Sequence, residues 1–149
     1  MNLPPDIAGP LAGSAQVGSW EPALLLVTAA PSAAPHVCLL SRTEVAYAAD
    51  RLCVVTPSRT VRANLAASDR ATLFLQAEAP CSVGLRLSET VQDGSMTGYL
   101  FCVTSLRRDD IGVPLRPLAF LVEPWLPEAE SWAQTGRLIA DLIQRAGQR

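Results

Sequence analysis

The chain consists largely of short apolar runs that turn residues interrupt. Runs such as "ALLLVTAA" (23–30), "RLCVVT" (51–56) and "YLFCVTSLRR" (99–108) are bounded by Pro, Gly, Ser or Asp. Runs of this length with such boundaries are typical of β-strands rather than of long core helices. Strands and helices do not alternate along the chain, so we do not expect a parallel sheet. This pattern predicts a mainly antiparallel β-protein.

The strand-like segments predict a closed antiparallel barrel of six or seven strands. Eight segments are candidates, of which six or seven would form the barrel. They lie at 23–30, 36–41, 44–47, 51–56, 71–78, 81–91, 99–108 and 118–125.

Helical patterns occupy only a small part of the chain. A short helix or turn is expected at 4–12, and a short internal helix follows the strand 51–56, with apolar residues at helical spacing in "VRANLAAS". A longer helix is expected after Pro127, and its apolar stripe would be Trp132, Gly136, Ile139 and Ile143. The predicted fold class is therefore mainly β with a short internal helix and a C-terminal helix.

Composition limits the chemistry that this chain can carry out. Residues 1–149 form one predicted domain. Because 49% of residues are hydrophobic and only 17% are charged, much apolar surface must be buried within or between protomers. All 12 basic residues are arginine, so lysine Schiff-base chemistry and a P-loop lysine are excluded. No basic stripe indicates nucleic acid, and no apolar run is long enough to span a membrane.

The cysteine and histidine pattern does not indicate a metal site. The four cysteines form no Cys-x-x-Cys pair, and the chain has one histidine, His36. The N-terminus lacks the basic region and continuous apolar region of a signal peptide, so we expect a cytoplasmic protein with reduced thiols.

The segment "TPSRTVRANL" (56–65) lies where a predicted strand becomes a helix. In one interpretation Ser58 or Thr60 caps the helix and Arg59 is solvated. In the other, the exposed N–H groups of the first helical turn, the hydroxyls and the Arg59 guanidinium bind an anion, most simply a phosphate. Asn64 lies four residues after Thr60 and therefore on the same helical face. Spacing alone leaves both interpretations open.

Residues 23–75 resemble the FMN-binding split barrel of the pyridoxamine 5′-phosphate oxidase-like family. The matching order is an apolar strand, a turn, a strand ending in "PHVCLLS", a hairpin, "VVTPSRTVRANL" and then "DRATLFL". The most specific part is the Ser-Arg-Thr-x-x-x-Asn-Leu segment at 58–65. The resemblance covers about a third of the chain well, and the other strands match only in their rhythm.

The resemblance implies a flavin site and a dimer. In that family the segment equivalent to Thr56, Ser58, Arg59 and Thr60 holds the FMN phosphate and ribityl chain, and backbone near Val55 lines the ring. The second strand also contributes, which adds His36 and Ser41 as candidates. The resemblance further implies a homodimer with the flavin in a cleft between the subunits.

The chain departs from the oxidase itself at several places. His36, Ser41 and Thr60 stand where the oxidase has cationic residues, and the oxidase's C-terminal Arg-x-His region has no counterpart. The resemblance therefore predicts an FMN-dependent oxidoreductase acting on another small molecule, with a nicotinamide nucleotide as a candidate electron donor. The alternatives are a module on the same barrel that binds or senses flavin, deazaflavin or haem, with His36 as the haem ligand, and a barrel without any cofactor.

Overall fold

The computed structural model describes residues 1–148. Its strands, numbered in chain order, are β1 (Trp20–Pro22), β2 (Leu24–Thr28), β3 (His36–Leu40), β4 (Val45–Ala48), β5 (Arg51–Thr56), β6 (Arg70–Gln76), β7 (Pro80–Asp93), β8 (Met96–Arg108) and β9 (Ala119–Leu121). Its α-helices are α1 (Pro5–Ala8), α2 (Arg59–Ala67), α3 (Leu126–Ala129) and α4 (Trp132–Gly147), and Gly9–Ala12 and Arg42–Glu44 form 3₁₀ turns.

The main sheet has seven strands in the order β3-β2-β6-β7-β8-β5-β4. Every neighbouring pair is antiparallel. The predicted fold class, mainly β with an antiparallel split barrel of six or seven strands, a short internal helix and a C-terminal helix, is therefore confirmed, with seven strands in the main sheet. Within the described residues, no helix is long and apolar enough to cross a membrane.

The last predicted strand, 118–125, is wrong in length and in position. Only Ala119–Leu121 is extended, and it pairs with β1 rather than with the main sheet. Strand β1 was not predicted, because three residues that end in a proline show too little alternation to be recognised. These two short strands form a separate ribbon outside the barrel.

The two edge strands of the main sheet, β3 and β4, do not pair with each other. Instead, side chains connect β2 and β3 to the region of α2. Asn64 Nδ2 donates to Thr28 Oγ1 at 3.1 Å, and Cys38 Sγ lies 3.8 Å from Thr56 Oγ1. The sheet therefore curls until β3 lies beside the end of β5. We call the opening between His36–Leu40 and Val55–Ser58 the split.

The buried apolar residues form two clusters on either side of the main sheet. The larger fills the barrel, and its largest fully buried members include Leu24, Leu26, Leu73, Tyr99 and Phe101. The smaller lies between the sheet and α4 and consists of Ala46, Cys53, Val55, Met96, Leu100, Leu138, Leu142 and Ala146. Helix α4 therefore covers the outside of β4, β5 and β8.

The predicted buried stripe of α4 is correct at Trp132 and partly at Ile139, which is half-buried against the smaller cluster. The residues that α4 buries are Trp132, Thr135, Leu138, Leu142 and Ala146, whereas Gly136 is exposed and Ile143 is 39% exposed. The true stripe is rotated by about one residue, or about 100°. The helix turns its Leu138–Leu142 side to the sheet, where Gly98 on β8 leaves room for both leucines.

A pair of glycine substitutions tests this packing. A Cβ at Gly98 would lie 3.0 Å from Leu142 Cδ1 and 3.1 Å from Leu138 Cγ, while a Cβ at Gly136 meets nothing within 4 Å. We expect Gly98→Val to destabilise the protein by about 1–3 kcal/mol through overpacking. We expect Gly136→Ala to stabilise it by about 0.5–1 kcal/mol, since alanine favours a helix interior. Urea denaturation of both variants measures the two effects, and equal effects would contradict this packing of α4.

Candidate functional site

The segment 56–65 forms a capped helix start. Thr56 ends β5, and its Oγ1 accepts a hydrogen bond from the Ser58 backbone N–H at 3.2 Å. Ser58 is the N-cap of α2, and its Oγ accepts from the Val61 backbone N–H at 3.2 Å. The structural interpretation of Ser58, a helix cap, is therefore correct.

Anion binding at this helix start is still possible, because hydrogen-bond donors there remain available after the cap has formed. Ser58 Oγ only accepts in the cap, so its own hydrogen can still be donated. Arg59 and Thr60 are exposed at the first turn of α2. Within residues 1–148, Arg59 makes no hydrogen bond or ion pair. The helix start therefore combines unpaired N–H groups with a free guanidinium, an arrangement that suits an anion.

Thr56 and Asn64 face the interior. Thr56 is 2% exposed and anchors the turn, and Asn64 is 8% exposed with its amide nitrogen bound to Thr28. Because Thr28 pairs with His36 in the β2–β3 ladder, Asn64 also brings the half-buried His36 at the start of β3 close to α2. The structure therefore places His36 beside the Thr28–Asn64 hydrogen bond, opposite the middle of α2, and gives Asn64 a role in closing the barrel.

The side chain of Val55 points away from the split. Its side chain is fully buried in the cluster beneath α4. The β4–β5 ladder ends at the pair Val45–Val54, while β5 continues to Thr56 along β8. The β4 side of Val55 and Thr56 therefore has no strand partner, although both residues are buried, at 0% and 2% exposed.

Cys38 projects from β3 toward Thr56 and is the nearest thiol to the split. Burial raises the pKa of the Cys38 thiol, and the Thr56 hydroxyl only partly offsets this. The side chain is therefore a neutral thiol at pH 7 and no nucleophile. All four cysteines are free thiols, and burial raises the pKa of Cys53 to about 12.

Ser41 lies at the opposite end of β3 from His36, about 17 Å away at the usual rise of a strand. Its backbone N–H donates to Glu44 Oε2 at 2.6 Å. Burial raises the pKa of Glu44, and this hydrogen bond acts in the opposite direction. The structure thus separates Ser41 from the residues around Arg59 and places it at the wall of a second feature.

That feature is a cavity of about 330 Å³ beside β3. Its lining includes Leu39, Ser41, Glu44, Phe120, Trp125 and Trp132. Trp132 is buried and its Nε1 has no hydrogen-bond partner among the described residues, whereas Trp125 is 62% exposed. The sequence analysis did not predict this cavity, because it forms only where β9 and α3 meet β3.

The helix start and the cavity differ in chemistry. The helix start lies at the split and has the free cation of Arg59, whereas the cavity lies on the outer side of β3 and has apolar and aromatic walls together with Glu44, Glu123 and Glu130. The helix start therefore suits the anionic group of a ligand, and the cavity does not. No nucleophile–base pair lies at either place among the described residues.

Comparison with solved structures identifies the fold. The flavin reductase of styrene monooxygenase from Pseudomonas putida S12 matches with a TM-score of 0.55 and 13% identity, covering 70% of this chain and 88% of that one. An F420 reductase matches with a TM-score of 0.51 and 13% identity, covering 60% and 91%. A split-barrel protein from Shewanella frigidimarina NCIMB 400 matches with a TM-score of 0.50 and 12% identity, covering 68% and 73%.

No family model and no curated protein matches the sequence. At identities this low, the structural matches establish that the chain has the split-barrel fold, and they do not establish its activity.

Proposed function

We propose that this chain is a flavin-dependent oxidoreductase that binds FMN in the split. The observation that carries the proposal is the unpaired Arg59 at the first turn of α2, at the mouth of a split barrel. The names of the structural neighbours support it, since flavin reductases and an F420 reductase share this fold.

The residues present fit FMN. Arg59, Thr60, the Ser58 hydroxyl and the first N–H groups of α2 would hold the phosphate, with His36 nearby on β3. The ring system would lie against the backbone near Val55 and Thr56, which lacks a β4 partner. Thr56 and Asn64 act here as supports, because their side chains already hold the turn and the barrel closure.

When bound, FMN supplies the hydride chemistry, and the protein supplies binding and orientation. The phosphate contacts fix the ligand at one end. The neutral Cys38 thiol adds no negative charge beside Thr56. We further propose a nicotinamide nucleotide as electron donor, a small molecule as acceptor and a cytoplasmic location, where the four free thiols stay reduced.

Turnover of a nicotinamide nucleotide tests the enzymatic part of the proposal. With FMN present, we expect the protein to oxidise NADH or NADPH in air, two electrons passing from the nicotinamide through flavin to oxygen. Absorbance at the nicotinamide band measures the rate, and free FMN at the same concentration is the control. Tight FMN binding without any rate above that control would favour the alternative of a non-catalytic flavin-binding module.

We also propose that the protein is a homodimer. The outer face of β3 and its neighbours is apolar, with Val37 54%, Leu39 55% and Phe74 36% exposed. Leu25 lies directly opposite both Leu39 and Phe74 in the ladders, and Val27 lies opposite Val37, so these side chains form one continuous patch. A second copy of the chain would cover the patch and complete the cleft beside the split.

A charge placed in this patch tests the dimer. Leu39→Glu should convert a dimer at micromolar concentration into a monomer, because a carboxylate would have to be desolvated in the interface. Leu115→Glu, at a comparably exposed leucine in a loop, is the matched control and should leave the dimer intact. Sedimentation velocity measures both, and a monomeric wild-type protein would contradict the proposal.

A further inference from the structure

Two arginines face each other on the outside of the sheet. Arg70 on β6 and Arg86 on β7 are direct partners in the antiparallel ladder, and both are exposed. Neither makes a hydrogen bond or an ion pair with any residue of 1–148. Like charges directly opposite each other destabilise a sheet. Repulsion between the two guanidinium groups therefore destabilises the folded protein, and a bound anion would remove this destabilisation.

The arginine pair borders a cavity of about 320 Å³. The cavity is otherwise lined by Ala71, Thr72, Gly84, Leu85, Thr104 and Ser105. The polar groups of this lining are hydroxyls, and no carboxylate belongs to it. Cations and hydroxyl donors without a competing acid are the groups that bind a phosphate.

A β-bulge adds a second hydroxyl to this cavity. The β7–β8 register shifts between Gly84 and Leu85, which pair with Ser105 and Val103, so Thr104 is the extra residue. Thr104 and Ser105 are both exposed and both line the cavity, whereas adjacent residues of a regular strand point to opposite faces. Bulges that redirect side chains in this way are frequent at functional sites.

Gly84 makes room for these hydroxyls. A Cβ at Gly84 would collide with Ser105 Oγ and lie 3.1 Å from Thr104 Oγ1. Any side chain at position 84 would displace the Ser105 and Thr104 hydroxyls, so this arrangement requires glycine there.

A second cavity of about 250 Å³ continues from the first. The two share Arg70, Ala71 and Thr72, and the second extends along Val27, Thr28 and Ala29 to Pro35. Its walls are more apolar than those of the first cavity. The two together form a groove with a cationic end and an apolar end, a shape that suits a nucleotide.

We propose that this groove binds a nucleotide, with its diphosphate between Arg70 and Arg86 and its nucleoside against Ala29 and Pro35. Each guanidinium can bind two phosphate oxygens, and the Thr104 and Ser105 hydroxyls can donate to the remaining ones. This site does not depend on the flavin site at Arg59. A nicotinamide dinucleotide and a free diphosphate share the chemistry recognised here, and the experiment below separates them.

Binding to the dimeric or monomeric full chain, measured by calorimetry, tests the proposal with inorganic pyrophosphate, ADP and NADPH as probes. We expect saturable binding of all three, with ADP and NADPH tighter than pyrophosphate because of the second cavity. The double variant Arg70→Gln/Arg86→Gln should bind each probe at least about tenfold more weakly. Arg116→Gln, which removes an exposed arginine elsewhere, should leave binding unchanged.

Two results would overturn the proposal. They are no saturable binding of any probe to the wild-type chain, and equal affinity in the double variant. Pyrophosphate binding as tight as that of NADPH would assign the site to free polyanions instead of a nucleotide. FMN affinity is measured on the same double variant and should not change, so failure here is distinct from failure of the flavin proposal. The unliganded double variant should be at least as thermally stable as the wild type, which shows that it is folded.

Discussion

Replacing Arg42 with alanine is expected to destabilise the protein by about 3–5 kcal/mol, because it leaves a buried carboxylate without its cation. Arg42 Nε donates to Glu21 Oε2 at 2.6 Å, and Arg42 Nη2 donates to Glu21 Oε1 at 3.0 Å. The Glu21 side chain is only 3% exposed. Its oxygen Oε1 also accepts from the Gln16 backbone N–H at 3.0 Å. The pair thus connects the N-terminal segment and β1 to the 3₁₀ turn that follows β3.

The pH dependence of this effect has a defined sign. The Arg42 guanidinium holds the pKa of Glu21 below its usual range. In the wild type this contribution is fully present above the ordinary glutamate pKa of about 4.3 and is lost as the pH falls through the lower folded value. In Arg42→Ala the unpaired buried carboxylate binds a proton more readily. The difference in stability between wild type and variant should therefore shrink as the pH is lowered from 7 to 4.

Urea denaturation at pH 7 and pH 4 measures both parts of this prediction. Arg107→Ala is the control, because Arg107 pairs with Asp109 at 2.7 Å with its side chain 77% exposed. Exposed pairs of this kind contribute about 0–1 kcal/mol. An Arg42→Ala loss no larger than that of Arg107→Ala would contradict the assignment of a buried pair.

Local patterns predicted the main sheet well. Alternation and turn residues place β2 to β8 within a few residues of their observed bounds. The predictions were wrong where contacts between residues far apart in sequence determine the structure. Helix α4 has apolar residues on more than one side, and the contact of Leu138 and Leu142 with the sheet at Gly98 on β8 is a tertiary contact that its own sequence does not show.

The candidate site was predictable to a similar degree. The cap at Ser58 and the exposed Arg59 follow from their positions at a helix start. The bond from Asn64 to Thr28 and the pairing of Arg70 with Arg86 join residues that are far apart in sequence, and both depend on strand register. Register is a property of the assembled sheet, so a single sequence does not reveal it.

Arg59→Ala should weaken FMN binding about ten- to a hundredfold, because it removes a charge-assisted contact to the phosphate. Riboflavin has no phosphate, so its affinity should barely change. The free energy of unfolding of the unliganded variant should also match that of the wild type, since Arg59 is exposed and makes no hydrogen bond or ion pair within residues 1–148. Arg137→Ala, at an exposed arginine on α4, removes the same charge elsewhere and should change neither affinity.

Titration of FMN and of riboflavin into the wild type and Arg59→Ala, followed by flavin fluorescence, tests whether Arg59 binds the phosphate of FMN. We expect saturable binding to the wild type with FMN tighter than riboflavin, and loss of that preference in Arg59→Ala. Absence of saturable FMN binding to the wild type, or an equal loss of FMN and riboflavin affinity in the variant, would contradict it.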